Sequence, residues 1–353
     1  MNAAWISTAA TTLLVALVFH AMPRLTRPEL YFAVTVPAGF RDGAEARRIL
    51  RRYRASLWAS AALAGAIGAV AVYLRQPLWS GAGTLWLLAG ATLAFADARR
   101  RVRPHAVEPS TVREAALAPR ARAPVGGLAA QLGPFALLAA AGALLWRRFG
   151  ELPERIPTHW NFAGQPDHFV ARTPAAVGGV LAVGASTCAA LALLALGLQK
   201  FSRPVAAGGD PARAERGFRR LNAFVLLGAE YLVAITFGAI ALAPLARAGA
   251  ALVPSLALAQ AALAVGVVVA LARLGQGGTR RAAPAPRDGA PVGDRTSDAR
   301  WKWGLFYADA DDPALFVEKR FGIGYTLNFG NRWSWIILAL AAAIPVAAAL
   351  LAR

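Results

Sequence analysis

The chain has 353 residues, of which 57% are apolar and only 16% charged. An ordinary soluble domain carries roughly 25% charged residues, so the composition excludes that class. The formal net charge of +19 would suit a nucleic-acid binder, but the placement of the charge points elsewhere.

Eight apolar blocks follow one another, each about 20 residues long, enough to cross a hydrocarbon core of about 30 Å at 1.5 Å per residue. They are Ala3–Ala21, Ser56–Leu74, Leu78–Ala96, Gly126–Trp146, Pro174–Leu198, Leu221–Leu245, Leu252–Ala272 and Trp333–Leu351. The loops between them sort the 38 Lys and Arg unevenly. Thirty-one lie in loops 23–55, 97–124, 199–220 and 273–332, and seven lie in the other loops and at the C-terminus. Alternation of this kind is the positive-inside bias of membrane spans, which a nucleic-acid surface would not follow. It places the odd-numbered loops in the cytoplasm and both termini outside, and anionic lipids at the cytoplasmic face become the expected partner. No Lys or Arg precedes the first block, whereas Arg24 and Arg27 follow it, so it reads as an anchor and not as a cleavable signal peptide. A single cysteine, Cys188, inside the fifth block, leaves no disulfide and no thiolate metal site to expect. Arginine outnumbers lysine 35 to 3 and alanine is abundant, a composition that suggests a GC-rich bacterial genome, so the spans are expected in a bacterial inner membrane.

The predicted organisation is an all-α membrane bundle with a small cytoplasmic α+β-like module between the seventh and eighth spans. In segments, 1–125 holds three spans and basic loops, 126–198 two spans around an outer loop, and 199–274 two more. A linker at 275–299, rich in Gly, Pro and Ala, leads to the module at 300–332 and the last span at 333–353. From Ala44 to Trp58, Ile49, Leu50, Tyr53 and Leu57 recur at helical spacing opposite Arg47, Arg48, Arg51 and Arg54. This stretch reads as an extension of the second span with an arginine collar, or else as a helix lying among headgroups. Arg52–Trp58 and Arg219–Phe224 echo each other, each a basic run that enters an apolar span.

The outer loop 147–173 carries Ile156-Pro-Thr-His-Trp-Asn-Phe-Ala-Gly-Gln-Pro-Asp-His168. Pro157, Gly164 and Pro166 fix an irregular turn, and Trp160, Phe162 and Phe169 suit the membrane interface. His159, Asp167 and His168 have ligating side chains, but His-x8-His is not a zinc spacing, so a structured turn is the expectation. The pattern Pro157-x-His159-Trp160-Asn161-x2-Gly164-x-Pro166-Asp167 between two spans resembles the family called "domain of unknown function 1648". That family occurs in bacterial multi-pass membrane proteins, including toxin-immunity proteins of the SdpI type. The resemblance implies a ligand- or signal-binding role for His159, Asn161, Gly164 and Asp167.

Within the membrane, Glu230 lies nine positions inside the sixth block, roughly 14 Å by helical rise. An acid at that depth costs about 2.5–3.5 kcal/mol on insertion scales, so it should face the bundle interior and find a partner. No Lys or Arg lies deep in any block; the expected partners are Thr236, Gln131, Ser186 or Thr187. The functional reading of the same residue is a proton or cation site.

In the last long loop, Trp301-Lys302-x-Gly304-x2-Tyr307, Asp311-Asp312-Pro313 and Val317-x-Lys319-Arg320-x-Gly322-x-Gly324-x-Thr326-Leu327-Asn328 resemble "domain of unknown function 5808". Tyr325–Phe329 has strand-like residues, and Asp312-Pro313 predicts a helix start running through Glu318. Asp309, Asp311 and Asp312 lack the glycine and terminal glutamate of a calcium loop. Trp301, Trp303, Trp333 and Trp335 are expected to seat the module against headgroups. Trp301, Tyr307, Asp312, Lys319, Arg320 and Asn328 are the candidate docking residues, toward lipid or a protein partner. No HExxH, Gly-x-Ser-x-Gly, Walker loop or cofactor motif is present, so no catalytic residue, metal or cofactor is expected. The expectation is a non-enzymatic sensor, immunity or signalling-type envelope protein; the alternative is a transporter that uses Glu230.

Overall fold

The computed structural model describes residues 3–74, 77–109, 124–160, 166–203, 209–246, 252–279 and 294–351. Eight α-helices follow in chain order: α1 Ala3–Leu25, α2 Ala44–Tyr73, α3 Pro77–Val102, α4 Gly127–Arg147, α5 Pro174–Phe201, α6 Gly209–Ala246, α7 Leu252–Leu274 and α8 Arg332–Leu351. The first seven contain stretches long and apolar enough to cross a membrane, and α8 is a 20-residue apolar helix. The chain is thus a multi-pass membrane protein, and each helix coincides with one apolar block of the sequence.

Two helices outrun their blocks. α2 has 30 residues and α6 has 38, which at 1.5 Å per residue is roughly 45 and 57 Å, well beyond a 30 Å core. The surplus lies at both N-termini, where the two basic runs continue their helices without a break. In α2 the stripe Ala46, Ile49, Tyr53 and Leu57 is buried while Arg47, Arg48, Arg51 and Arg52 stay outside, so the segment is the span's extension.

The helices form two bundles with contacts mainly inside each: α1–α3, and α4–α6 with α8 against α5. α2 and α3 approach closely through small residues. A methyl on Gly83 would stand 2.7 Å from the Ala64 carbonyl oxygen, and one on Gly90 would overlap the Ser60 side chain. Between apolar lipid tails there is little hydrophobic drive for helix association, so such close contact supplies the packing. The α1–α2 connection folds into a two-stranded hairpin, β1 Leu30–Tyr31 and β2 Val34–Thr35, whose turn residues Phe32 and Ala33 have φ of 45° and 62°. Left-handed backbone at non-glycine residues costs about 1 kcal/mol or more each, and burial holds it here. Phe32 is enclosed by Tyr53 and Phe95, and the Ala33 carbonyl accepts from Arg99 Nη1.

Between α4 and α5, β3 Arg155–Trp160 pairs antiparallel with β4 Pro166–Ala171, with irregular register between Pro157 and Trp160. Between α7 and α8, β5 Trp301–Lys302 pairs with β6 Phe306–Tyr307, and β7 Phe316–Glu318 with β8 Tyr325–Leu327. Parallel bridges join Tyr307 to Asn328 and Ser202 to Phe316, so the end of α5 adds to this module.

Two local expectations are corrected. The helix read from Pro313 to Glu318 is a turn, in which the Asp312 carboxylate accepts from Ala314 N, followed by the three residues of strand β7. The Leu315 carbonyl, which in a helix would accept from Lys319 N, accepts instead from Asn328 N, and Lys319 N bonds the Gly324 carbonyl, while Leu315 N donates to the Phe201 carbonyl at the end of α5. The linker 275–299 is packed at both ends, since Gln276, Asp294 and Thr296 are buried. Its residues 280–293 lie outside the described set.

Candidate functional site

The module is built around a buried cation. Arg320, with 0% exposure, donates from Nε to Asp294 Oδ2 at 2.9 Å and from Nη2 to Asp294 Oδ1 at 2.8 Å, a bidentate pair. Nη2 also reaches Thr296 Oγ1 at 2.9 Å, Nη1 reaches Asp298, and the guanidinium lies 5.2 Å from the Trp301 ring centroid. Burial alone would push the Asp294 carboxyl upward, but the Arg320 charge and its hydrogen bonds hold it below the usual carboxylate range. Asn328, also fully buried, donates to the carbonyls of Asp309 and Asp312 and accepts from the amides of Asp309 and Gly330. It thereby ties β8 to the 309–314 loop.

Three helix ends send a polar side chain into this module. From the end of α5, Arg203 pairs with Asp312 at 2.6 Å and reaches the Tyr307 hydroxyl at 3.1 Å and the Arg295 carbonyl at 2.7 Å. From the end of α1, Arg27 meets Glu318 at 2.8 Å. Burial disfavours the Arg27 cation, yet the Glu318 carboxylate outweighs it and raises the group above its ordinary value. From the turn after α7, Gln276 bonds Gly324 twice, accepting from its amide at 2.8 Å and donating to its carbonyl at 2.9 Å. The first bundle is gripped again by Phe321, whose ring lies 4.4 Å from Phe95 and 5.9 Å from Phe32, and by Thr35, which donates to Asp298 at 3.0 Å. The module therefore joins the two bundles.

Of the six residues read as docking contacts, five are inside. Trp301, Tyr307, Asp312, Arg320 and Asn328 are buried and partnered within the chain, and only Lys319 is exposed. A buried side chain offers no surface to a partner, so these five hold the module together. Among the four tryptophans, Trp301 is 3% exposed, whereas Trp303, Trp333 and Trp335 are open, Trp303 at 78%. The carboxylates of Asp309 and Asp312 already accept from Tyr307, Arg203 and backbone amides.

At the opposite end of α5 sits the β3–β4 hairpin. Thr173 caps α5 by accepting from Ala176 N at 3.0 Å, and Pro174 opens the helix. Ile156 is buried with Leu145 of α4 and Ala241 of α6, and Arg172 donates to the Leu152 carbonyl at 2.7 Å while its guanidinium lies 5.7 Å from the Phe149 ring centroid. The hairpin is seated on three helix ends. His159 pairs with His168 in the backbone register, and Asp167 lies in β4. The side chains of His159 and Asp167, like Asn161 and Gly164 altogether, lie outside the described residues, whereas His168 is exposed.

Glu230 is 0% exposed in the core of α4–α6, in the helical stretch that Leu138, Cys188 and Ala234 pack. Neither carboxyl oxygen has a hydrogen-bond partner among the described residues. The expected partners are engaged elsewhere: Gln131 with the Val125 carbonyl, Ser186 and Thr187 with carbonyls of their own helix, and Thr236 with Gln260. The expectation of a satisfied acid is corrected. Sequence reading also missed Arg203, Arg27 and Gln276. Their signal was polar residues directly at the ends of apolar helices, which the positive-inside bias alone accounts for.

Comparison with known families agrees with this division. A Domain of unknown function (DUF1648) matches residues 135–181, from α4 through the hairpin into α5. A Family of unknown function (DUF5808) matches residues 310–335, from the loop before β7 into α8. No curated protein and no solved structure matches the chain.

Proposed function

We propose that the protein is a non-enzymatic signalling protein of the bacterial inner membrane, of the sensor or immunity type. The hairpin faces outward as receptor, and the module faces the cytoplasm as the element whose packing responds. The orientation rests on the arginine-rich loops, and the same charges favour anionic lipids around the inner face. One observation carries the reading: α5 is a single 28-residue helix that leaves the hairpin at one end and enters the module through Ser202 and Arg203 at the other. A rod of about 42 Å fixed at both ends transmits a displacement. Open Trp303 and Lys319 are where a protein partner would meet the module.

The test is hydrogen exchange on the full chain in nanodiscs. Ile156→Asp places a charge in the buried seat of the hairpin and should lift it. Exchange at Phe316–Glu318 should change at least fivefold, while the α2–α3 contact around Leu57 and Leu87 stays protected. Equal exchange at β7 in both proteins would sink the coupling.

A second reading, a proton- or cation-coupled transporter, is favoured by the unpartnered Glu230 carboxyl. Proton flux into proteoliposomes under a potassium diffusion potential, abolished in Glu230→Gln, would support it. No flux above empty vesicles with the wild-type chain would remove it.

A further inference from the structure

The β5–β6 turn presents an aromatic side chain that local folding does not call for. Trp303 and Gly304 have φ of 53° and 77°, and Leu305 N bonds the Lys302 carbonyl at 3.1 Å. Two left-handed residues in succession are the pattern of a type I′ turn, for which Asn-Gly is the favoured pair. Folding alone would therefore favour asparagine at 303. The chain has tryptophan there, exposed, in a backbone conformation that bulky residues rarely adopt.

Trp303 is one end of a row of rings. It meets Phe306 at 6.0 Å, Phe306 meets Phe329 at 5.4 Å, and Phe329 meets Trp335 at 5.8 Å, each pair edge to face. Trp303, Phe306 and Trp335 are exposed, and Phe329 is half-buried. Trp335 lies in the first turn of α8, and Leu338, one turn on, is exposed too. The row is thus continuous with the apolar surface that α8 offers to acyl chains. Its two ends stand at the same level. Trp335 begins one span, and a methyl on Gly304 would stand 2.6 Å from Arg99 Nη1, in the last turn of α3, where another span ends. A row tied to span ends at both extremities runs along the membrane surface and does not climb away from it. Exposed Lys302 and Arg332 directly precede Trp303 and Trp333, cation beside ring as at a headgroup boundary. The acids of the adjoining loop, Asp309 and Asp311, are met by Arg300 at 3.5 and 3.6 Å.

We infer that the row from Trp303 through Phe306 and Phe329 to Trp335 is a membrane-contact surface, seated in the boundary between headgroups and acyl chains on the module's side of the bilayer. Contiguous exposed apolar surface marks a protein or a membrane contact; continuity with α8 and the common level of both ends select the membrane. The inference rests on the chain spanning a membrane and not on its signalling role. Trp303 is then covered by lipid, and Lys319 stays open to a protein partner.

The experiment is fluorine NMR of the full chain, labelled with fluorotryptophan, in nanodiscs of phosphatidylcholine and phosphatidylglycerol. The Trp303 resonance is the one lost in Trp303→Phe, and the Trp335 resonance the one lost in Trp335→Phe. A phosphatidylcholine carrying a nitroxide near the top of its acyl chain should broaden both at least fivefold more than a gadolinium chelate confined to water. Stronger broadening of Trp303 by the chelate puts that ring in water and overturns the proposal, leaving it to a protein partner. A Trp303 resonance that neither probe reaches is covered by protein, a second copy included, and overturns it as well. Trp335 in lipid with Trp303 in water would show that the row climbs away from the membrane, which the common level of its ends forbids.

Discussion

Replacing Arg320 by methionine removes one charge and keeps most of the side-chain volume. The cation it removes is fully buried and holds Asp294 through two hydrogen bonds of 2.8 and 2.9 Å. Breaking one side of a buried pair costs about 3–5 kcal/mol, because the remaining charge stays buried without compensation. Asp294 retains bonds from Thr296 N at 3.1 Å and Thr296 Oγ1 at 2.6 Å, which places the expected loss near the lower end, about 3 kcal/mol. At 1.36 kcal/mol per decade, opening of the module should become on the order of a hundredfold more frequent. Hydrogen exchange at the amides of β7 and β8 reads this directly. Adding Asp294→Asn should restore part of the protection, since the uncompensated charge is then gone. Exchange in Arg320→Met within threefold of wild type would refute the idea that this pair holds the module.

Gly330→Ala should destabilise the module by about 1–3 kcal/mol, because its methyl would overlap the backbone of Asp309 and Ala310, neither of which can swing away; exchange at Asn328 is the readout. Glu230→Met should raise the thermal midpoint of the detergent-solubilised chain, since removing a buried polar group without a partner relieves about 1–3 kcal/mol; a lower midpoint would mean that the carboxyl has a partner. Asp294 is held below its unfolded pKa of about 3.9, so its stabilisation is complete above that value and is lost as pH falls through the folded pKa. The drop in midpoint from pH 7 to pH 3 should accordingly be smaller in Arg320→Met than in wild type. Alkaline phosphatase fused within loop 161–165 should be active and within 280–293 inactive; the reverse pattern would invert the proposed orientation.

The spans were legible because hydrophobic length is a local property. The block 126–146 and helix Gly127–Arg147 differ by a single residue at each end. Where the α6 reading fell short by 12 residues, hydropathy was the wrong instrument. Ala212, Glu215 and Phe218 are buried at intervals of three, a helical stripe of mixed polarity, and the hydropathy of arginine hides it. The module was legible as ordered and its last strand, β8, as strand, but the direction in which its side chains point was not. Arg320 is buried by Asp294, 26 residues upstream in a stretch that composition marks as tether, and Trp301 by the same ion cluster. Pro313 fails to start a helix because the Leu315 carbonyl is taken by Asn328 N and the Phe316 carbonyl by Arg203 N, the latter more than a hundred residues earlier. Such pairings are non-local, and no period in the sequence encodes them. In the hairpin, Ile156 was legible only as part of a motif, whereas its burial depends on Ala241 of another helix.

The contrast between the two kinds of contact bears on how the molecule could move. Inside each bundle, contact is through alanine, leucine, valine and aromatic side chains, and such interfaces resist sliding because every displacement opens voids. Where the helix ends meet the module, the joints are ionic and amide pairs, Arg203 with Asp312, Arg27 with Glu318 and Gln276 with Gly324, beside one apolar contact, Phe321 against Phe95 and Phe32. Hydrogen-bonded pairs of this kind are directional, and a shift of one or two ångströms along α5 would take them out of bonding distance. Glu318 already carries an unpaired buried oxygen, Oε1, beside the Arg27 contact, and Arg219 a buried Nε nearby in α6 with no partner among the described residues. A buried donor and acceptor left unpaired on facing elements lower the cost of rearrangement, since a movement that joins them recovers hydrogen-bonding energy lost at another joint. The polar joint at the helix ends, and not the apolar cores, is therefore where a displacement of the hairpin would be converted into a change of state.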